Sequence, residues 1–273
     1  MKRLNTIIFL CFAMLGIQAQ DSLRVEQLLK KGLNAENPII YYASEFRGCP
    51  YVAKTLEVNE VEELIVDAHR FDCTTFVETV TALSMTTKEG KTDYRSFCNN
   101  LRRLRYKDGE IDYRTRLHYF SQWIEEHKKH NRVEEVAIPQ SLYPTRQTLQ
   151  LHFMTTHVSL YPLLVWHPEY IGRIAELEKE ISGTVVQYIP KSMLDSNTQL
   201  RKIVSDGDII AIVTNKDGLD ISHVGFALWQ ADGLHLFHAS SVHKKVIVEP
   251  HTLYQYMATK KAQTGIRVIR LRR

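Results

Sequence analysis

No stretch of this 273-residue chain is apolar for the roughly 20 residues that a helix needs to cross a bilayer. The longest apolar run, Leu4 to Ile17, is too short to span. It follows a basic start, Met1-Lys2-Arg3, and ends at Gln18-Ala19-Gln20, where a signal peptidase finds its small residue. Residues 1–19 therefore read as a secretory signal peptide cut after Ala19. Cys11 lies inside the run, but Phe9-Leu10 before it lack the small pair that lipid attachment requires. The mature chain is expected to be exported to the periplasm, without a lipid anchor or a transmembrane span.

A large excess of one charge is also lacking. The formal net charge is +4, and two of the cations, Lys2 and Arg3, leave with the signal segment. That balance supplies no electrostatic footprint for nucleic acid. Arg267, Arg270, Arg272 and Arg273 read as the end of a strand rather than a binding tail. There is no repeat, no low-complexity tract and no Gly/Ser linker, so about 250 residues are left to bury one substantial core. Residues 20–273 are read as a single domain. The helical zinc motif His-Glu-x-x-His is missing too: His127 and His130 stand in a charged surface stretch. No metal and no cofactor is expected.

Cysteine is rare, with 4 in all, and Cys11 lies in the signal segment. Cys49, Cys73 and Cys98 make an odd set, so an exported chain keeps at least one unpaired thiol. Such a thiol persists when it is buried or when it does chemistry. Whether Cys49 and Cys98 pair is left open by the sequence.

The first half reads as helices. Asp21-Ser22 cap one running to Lys31, and Asn37-Pro38 open another through Phe46. Glu63 to Ala68 reads as a short strand or extended approach. Helical spacing marks Cys73 to Thr86, Tyr94 to Tyr106, Thr115 to His130 and Glu169 to Ser182. Residues 88–182 are taken as a helical insertion. The last third changes period: Asp208–Thr214, Ser222–Trp229, Leu234–Ala239, Val246–Glu249 and Ile266–Leu271 are short, β-branched and aromatic, with turn residues between them. Helices followed by strands predict an α+β fold with an antiparallel sheet.

Chemistry gathers at two places. Phe71-Asp72-Cys73-Thr74-Thr75-Phe76 puts a cysteine where a loop turns into a helix. Unpaired N–H groups there favour a thiolate and can hold an oxyanion. In Ser222-His223-Val224-Gly225-Phe226-Ala227 the strand period places His223, Gly225 and Ala227 on one face. With little bulk beside the histidine, a helix end could approach that face, while Val224, Phe226 and Leu228 pack elsewhere. If Gln230 to Gly233 form a four-residue turn, Gly225 opposes His238 and the two histidines are diagonal neighbours, their Cβ atoms roughly 7–8 Å apart. Cys73 is then nucleophile, His223 base and His238 orienter, with Ser240 as the alternative orienter. Arg114 and Arg116 could hold a carboxylate, and His118, His152 and His157 could line the cleft.

These residues carry a resemblance. Asp72-Cys73, the His223-Val224-Gly225-Phe226 strand and Phe237-His238-Ala239-Ser240 resemble the NlpC/P60 superfamily of papain-like cell-wall hydrolases. Gly48-Cys49-Pro50-Tyr51 and Asp206-Gly207-Asp208-Ile209-Ile210 fit it as well. Asp72-Cys73-Thr74-Thr75-Phe76-Val77-Glu78 and Arg116-Leu117-His118-Tyr119-Phe120 are similar to its DUF1460 branch, the N-acetylmuramoyl-L-alanine amidase-like proteins, over residues 35 to 270. Two departures stand out: Thr74-Thr75 replaces Ser-Gly, and the chain between Cys73 and His223 is far longer than in ordinary NlpC/P60 domains. The resemblance implies a papain-like core, a site-lining role for Tyr51, and cleavage of the bond between N-acetylmuramic acid and L-alanine in muropeptides. Tyr51, Asp72, Ser222, Ser240, Arg116 and His118 are the expected substrate contacts. A γ-D-glutamyl-diamino acid endopeptidase and an inactive wall-binding module are the rival readings, and a monomer is expected.

Overall fold

The structure is a computed structural model that describes residues 20–272. The expected signal segment, residues 1–19, lies outside the described residues. Helix α1 covers residues 20–32. Helix α2, Pro38–Glu45, starts as its sequence dictates: the Asn37 side chain accepts from the Ile40 N–H and proline sits in the first turn. Helices α3 (Cys73–Lys88), α4 (Tyr94–Arg105) and α5 (Phe120–Lys129) follow. Residues 63–68 form neither strand nor helix, and residues 115–119 are not helical, so the helix expected from Thr115 begins at Phe120. The backbone of residues 115–117 pairs instead with the end of α4: the Lys107 N–H is donated to the Thr115 carbonyl and the Leu117 N–H to the Arg105 carbonyl, with Tyr106 and Arg116 bridged between them.

The stretch read as a helical insertion, residues 88–182, also holds strands β1 (Val133–Glu135) and β2 (Thr145–Thr148), then the short helices α6 (Phe153–Thr156) and α7 (Pro162–Trp166) and the longer α8 (Ile171–Ile181). Thr145-Arg146-Gln147-Thr148 has no apolar alternation, because a strand at the sheet edge has little core to face. Strand β3 (Val185–Pro190), helix α9 (Asn197–Leu200), strands β4 (Ile209–Thr214), β5 (Ile221–Trp229), β6 (Leu234–Ser240) and β7 (Lys245–Val248), helix α10 (Leu253–Ala258) and strand β8 (Gln263–Leu271) complete the order.

All strand pairs are antiparallel, in the order β2-β3-β8-β4-β5-β6-β7, with β1 also on β8. The fold is α+β. Central β4 is buried along its length and reads Ile-Ile-Ala-Ile-Val-Thr, since both of its faces are covered. Ile209, Ala211 and Val213 join α1 to α5 in the main core, whereas Ile210 and Ile212 face a second core with Leu253 and Met257 of α10. A third cluster gathers Tyr113, Tyr119, Leu149, Phe153 and residues of α7 and α8.

Phe76 on α3 is the pivot of the main core. Its ring meets Phe71, Phe226 and Phe237 at centroid distances of 5.9, 5.6 and 6.1 Å. Burying one such ring stabilises by about 2–3 kcal/mol. This packing corrects an expectation. Helix α3 lies on the Val224–Phe226 face of β5, not on the His223 face. Among the described residues no helix is long and apolar enough to cross a membrane.

Candidate active site

Cys73 is the first residue of α3 because Asp72 caps it. The Asp72 carboxylate accepts from the Thr75 N–H at 2.8 Å, and the Asp72 N–H is donated to the Thr75 hydroxyl at 3.0 Å, a reciprocal capping box. Asp72, expected to contact substrate, is thus engaged in holding the helix start. A strap formed by residues 48–52 runs alongside. Gly48 takes φ +87 with nothing near its missing Cβ, so conformation rather than space demands glycine there. The Tyr51 N–H is donated to the Lys244 carbonyl and the Val52 N–H to the Phe71 carbonyl, both at 2.9 Å. These bonds bring Tyr51 beside Cys73, and Tyr256 of α10 approaches the same sulfur. Burial, then the nearby thiol charge and Asp72, pushes the Tyr51 hydroxyl up to about 12. Burial, Glu249 and Cys73 do the same for Tyr256.

His223 sits at an irregularity of β5. Ile212 of β4 pairs with His223 but Val213 pairs with Ile221, so one extra residue, Ser222, is squeezed in. Ile221 and Val224 consequently both face the main core, and the bulge re-aims the residues between them. This lets the N-terminus of α3 and the histidine meet at one opening although α3 covers the other face. Cys73, Thr74, His118, Asp220, Ser222, His223 and neighbouring apolar residues line a cavity of about 170 Å³.

The turn of residues 230–233 forms as expected: Trp229 pairs with Leu234 and Phe226 with Phe237, which sets Gly225 opposite His238. A Cβ on Gly225 would lie 2.8 Å from the His238 Cβ, so glycine admits the second histidine. His223 Nε2 and His238 Nδ1 are 2.6 Å apart, their rings nearly perpendicular. Ser240 is buried and its hydroxyl accepts from the His243 N–H at 3.1 Å, which fastens the next turn, while the hydrogen-bond contact of the His223 ring is with His238.

Burial, then the Asp72 charge, pushes the Cys73 thiol up to about 11, while the Val224 N–H and the Thr74 hydroxyl and N–H pull the other way. Burial, then His238 and Lys260, holds His223 well below its ordinary value. At neutral pH the resting partners are a thiol and a neutral imidazole. Sequence reasoning favoured a thiolate from the helix terminus. Desolvation outweighs that partial charge here.

Of the other expected contacts, Ser222 and His118 line the cavity, with His118 Nε2 2.7 Å from the Tyr113 carbonyl. Arg116 does not serve the cavity. It is buried in ion pairs with Glu57 and Glu62, which tie the 54–63 loop to the turn before α5. Arg114 forks onto Asp112, His152 meets exposed Asp217 at 3.0 Å, and His157 stacks on Phe153. Cys49, Cys73 and Cys98 are all free thiols. Sequence reasoning missed Glu249, whose Oε2 lies 3.5 Å from His238 Nε2, and Tyr256.

Residues 41–266, which include Tyr51, Cys73, His223, His238 and Glu249, match the family model described as AmiA-like, N-acetylmuramoyl-L-alanine amidase-like. The chain belongs to that family. A solved N-acetylmuramoyl-L-alanine amidase from Bacteroides uniformis is 36% identical, with a TM-score of 0.79, over 89% of this chain and 100% of that one. A structure from Bacteroides fragilis, provisionally named a xylanase, is 41% identical at a TM-score of 0.78, over 84% and 99% of the two chains. A Legionella pneumophila protein assigned to DUF1460 shares the fold at 23% identity and a TM-score of 0.72, over 94% and 96%. No curated protein sequence matches the chain.

Proposed function

We propose that this family member is an exported, cysteine-dependent N-acetylmuramoyl-L-alanine amidase of the periplasm, built on a papain-like NlpC/P60 core. The observation that carries the reading is the 2.6 Å His223–His238 contact beside a cavity that His223 shares with Cys73. A helix-borne sulfur, a sheet-borne base and a group that orients the base are the parts of nucleophilic acyl transfer. The export half of the reading rests on residues 1–19 of the sequence. The substrate is a muropeptide, in keeping with the family and with the Bacteroides uniformis relative.

His223 takes the thiol proton as the Cys73 sulfur attacks the lactyl carbonyl of muramic acid. The Cys73 N–H and the Tyr51 hydroxyl face the developing oxyanion. Protonated His223 then gives its proton to the L-alanine nitrogen, and the C–N bond breaks to leave a thioester on Cys73. Water, deprotonated by the same imidazole, attacks the thioester; the sugar acid departs and the thiol is restored.

The name of the Bacteroides fragilis structure points elsewhere. Glycoside hydrolysis uses two carboxyl groups about 5–9.5 Å apart across the sugar. The cavity lining here holds one carboxylate, Asp220, and the Ser121 N–H is donated to it at 2.7 Å.

Mass spectrometry of a disaccharide-tetrapeptide incubated with the protein tests the assignment. Free disaccharide and intact tetrapeptide are expected, with no products from Cys73→Ala. A dipeptide left on the sugar would move the activity to a γ-D-glutamyl endopeptidase. A fully active Cys73→Ala variant would end the cysteine mechanism, and an inactive parent that still binds the sugar-peptide would leave a wall-binding module.

A further inference from the structure

The step from His223 to His238 crosses one strand and shifts two residues along it, and the sheet repeats that step. Residues 241–244 again form a four-residue turn, and His238 pairs with Ile247 of β7. Two residues on, the Glu249 N–H is donated to the Leu236 carbonyl at 2.8 Å, so Glu249 opposes Leu236 and is diagonal to His238 on the same face. Its side chain is only 3% exposed. Oε2 stands 3.5 Å from His238 Nε2, an ion-pair separation longer than a tight hydrogen bond. His238 Nε2 is itself buried and has no hydrogen-bonded partner among the described residues. A buried ring nitrogen without a partner is destabilising, and this carboxylate is the acceptor beside it.

We infer that Glu249 is the positioning residue that selects the tautomers of both site histidines, a role that rests on reading Cys73 and His223 as nucleophile and base. A carboxylate offers only lone pairs, so His238 turns an Nε2–H toward it. Neutral His238 is then left with a bare Nδ1, which accepts. His223 must donate its Nε2–H across the 2.6 Å gap, and its own Nδ1 becomes the basic nitrogen. One buried charge thereby sets which face of the His223 imidazole takes the thiol proton. Ser240 has its hydroxyl on the His243 N–H rather than on either imidazole, whereas Glu249 Oε2 stands beside His238 Nε2.

Other charged and titratable groups face the carboxylate. His243 Nε2 is 3.3 Å from the same oxygen, and its side chain is 35% exposed. Lys260, Tyr256 and the His251 N–H approach from α10 and the segments flanking it. Burial favours the protonated acid, but His238, His243 and the His251 N–H together hold the Glu249 carboxyl below its ordinary value.

Imidazole 15N NMR of the intact protein, without substrate, reads the tautomers directly. Nε2–H on both His223 and His238 is the expected wild-type result, and an Nδ1–H form of His238 would overturn the assignment with no variant needed. Glu249→Leu removes the acceptor and should mix the His238 tautomers. With the disaccharide-tetrapeptide as probe, it should lower kcat by about tenfold and leave KM within about twofold, a fraction of what acid–base catalysis contributes. Glu249→Gln still presents a carbonyl oxygen and should recover most of both losses. Unchanged tautomers and kcat in Glu249→Leu would refute the role. If the wild type cleaves no muropeptide, the proposed function fails, while the spectra still decide what Glu249 does.

Discussion

Replacing Gly225 with alanine inserts one methyl group between β5 and β6 at the point where the two histidines meet. On an open strand the change would stabilise by about 0.4–1 kcal/mol, because alanine has less freedom to lose on folding. The surroundings reverse that sign. The new Cβ would lie 2.8 Å from the His238 Cβ, 2.9 Å from Leu236 Cδ1 and 2.9 Å from the Phe237 carbonyl oxygen. Only the leucine methyl can swing aside; the other two belong to the backbone or are rigidly attached to it. Forced overpacking of this kind costs about 1–3 kcal/mol. The net loss is then about 1–2 kcal/mol, and at roughly 2–4 °C per kcal/mol for a domain this size the melting temperature falls by about 2–8 °C. Activity should suffer more than stability. His238 must move away from β5, and its 2.6 Å contact with His223 lengthens. A circular-dichroism melt and the rate of muropeptide cleavage at 25 °C, where the variant is still folded, measure the two effects separately. We expect kcat/KM to drop by at least tenfold, about 1.4 kcal/mol of transition-state stabilisation. A Gly225→Ala protein that melts no lower than its parent and cleaves within twofold of it would refute the close-approach account.

Arg116→Met should destabilise by about 3–5 kcal/mol, since Glu57 and Glu62 lose their buried partner. Its KM should stay unchanged wherever the protein is folded, and a large rise in KM at undiminished stability would return Arg116 to the substrate site. His127 is fully buried and held neutral, its value pressed down to about 3 first by burial. The unfolded chain takes up that proton below about 6.5 while the folded chain does not, so the contribution is complete above about 6.5 and drains away by about 1.4 kcal/mol per pH unit as pH falls toward 3. His127→Gln should flatten the urea-measured stability slope between pH 6 and 4 by that amount, and parallel slopes would show that His127 does not titrate this way. The proposed catalysis needs His223 in its neutral form, and burial, His238 and Lys260 hold it well below its ordinary value. The acid limb of kcat/KM should therefore fall below pH 6.5, with pH 6.5 and 7.5 rates within about twofold. A midpoint at or above 6.5 would contradict the buried, neutral base.

Much of the site was legible because it is local. Asp72, three residues before Thr75, has the spacing of a helix cap, and so places Cys73 at a helix start. An even turn after Trp229 fixes the register of β6 and hence the side of the sheet on which His238 stands. The same diagonal rule, applied once more across residues 241–244, leads to Glu249. What hid it was its place after an apolar strand, where a carboxylate reads as surface. Arg116 misled for the opposite reason: a cation in a polar turn looks available, and its partners Glu57 and Glu62 lie more than fifty residues away in a loop with no pattern of its own. Strands β1 and β2 stayed invisible because edge strands need no apolar face.

By itself the amino-acid order determined the α+β class, the helix start at Cys73 and the alignment of His223 with His238, since capping and strand period act over a few residues. Tertiary structure alone decided which face of the sheet α3 covers, and that a bulge at Ser222 turns His223 toward the cavity it shares with Cys73. It also decided that the thiol rests protonated and that Glu249 ends the row of histidines. The reason is the same in each case: desolvation and Coulomb energy depend on distances through space, and chain segments far apart in sequence set those distances only once they pack.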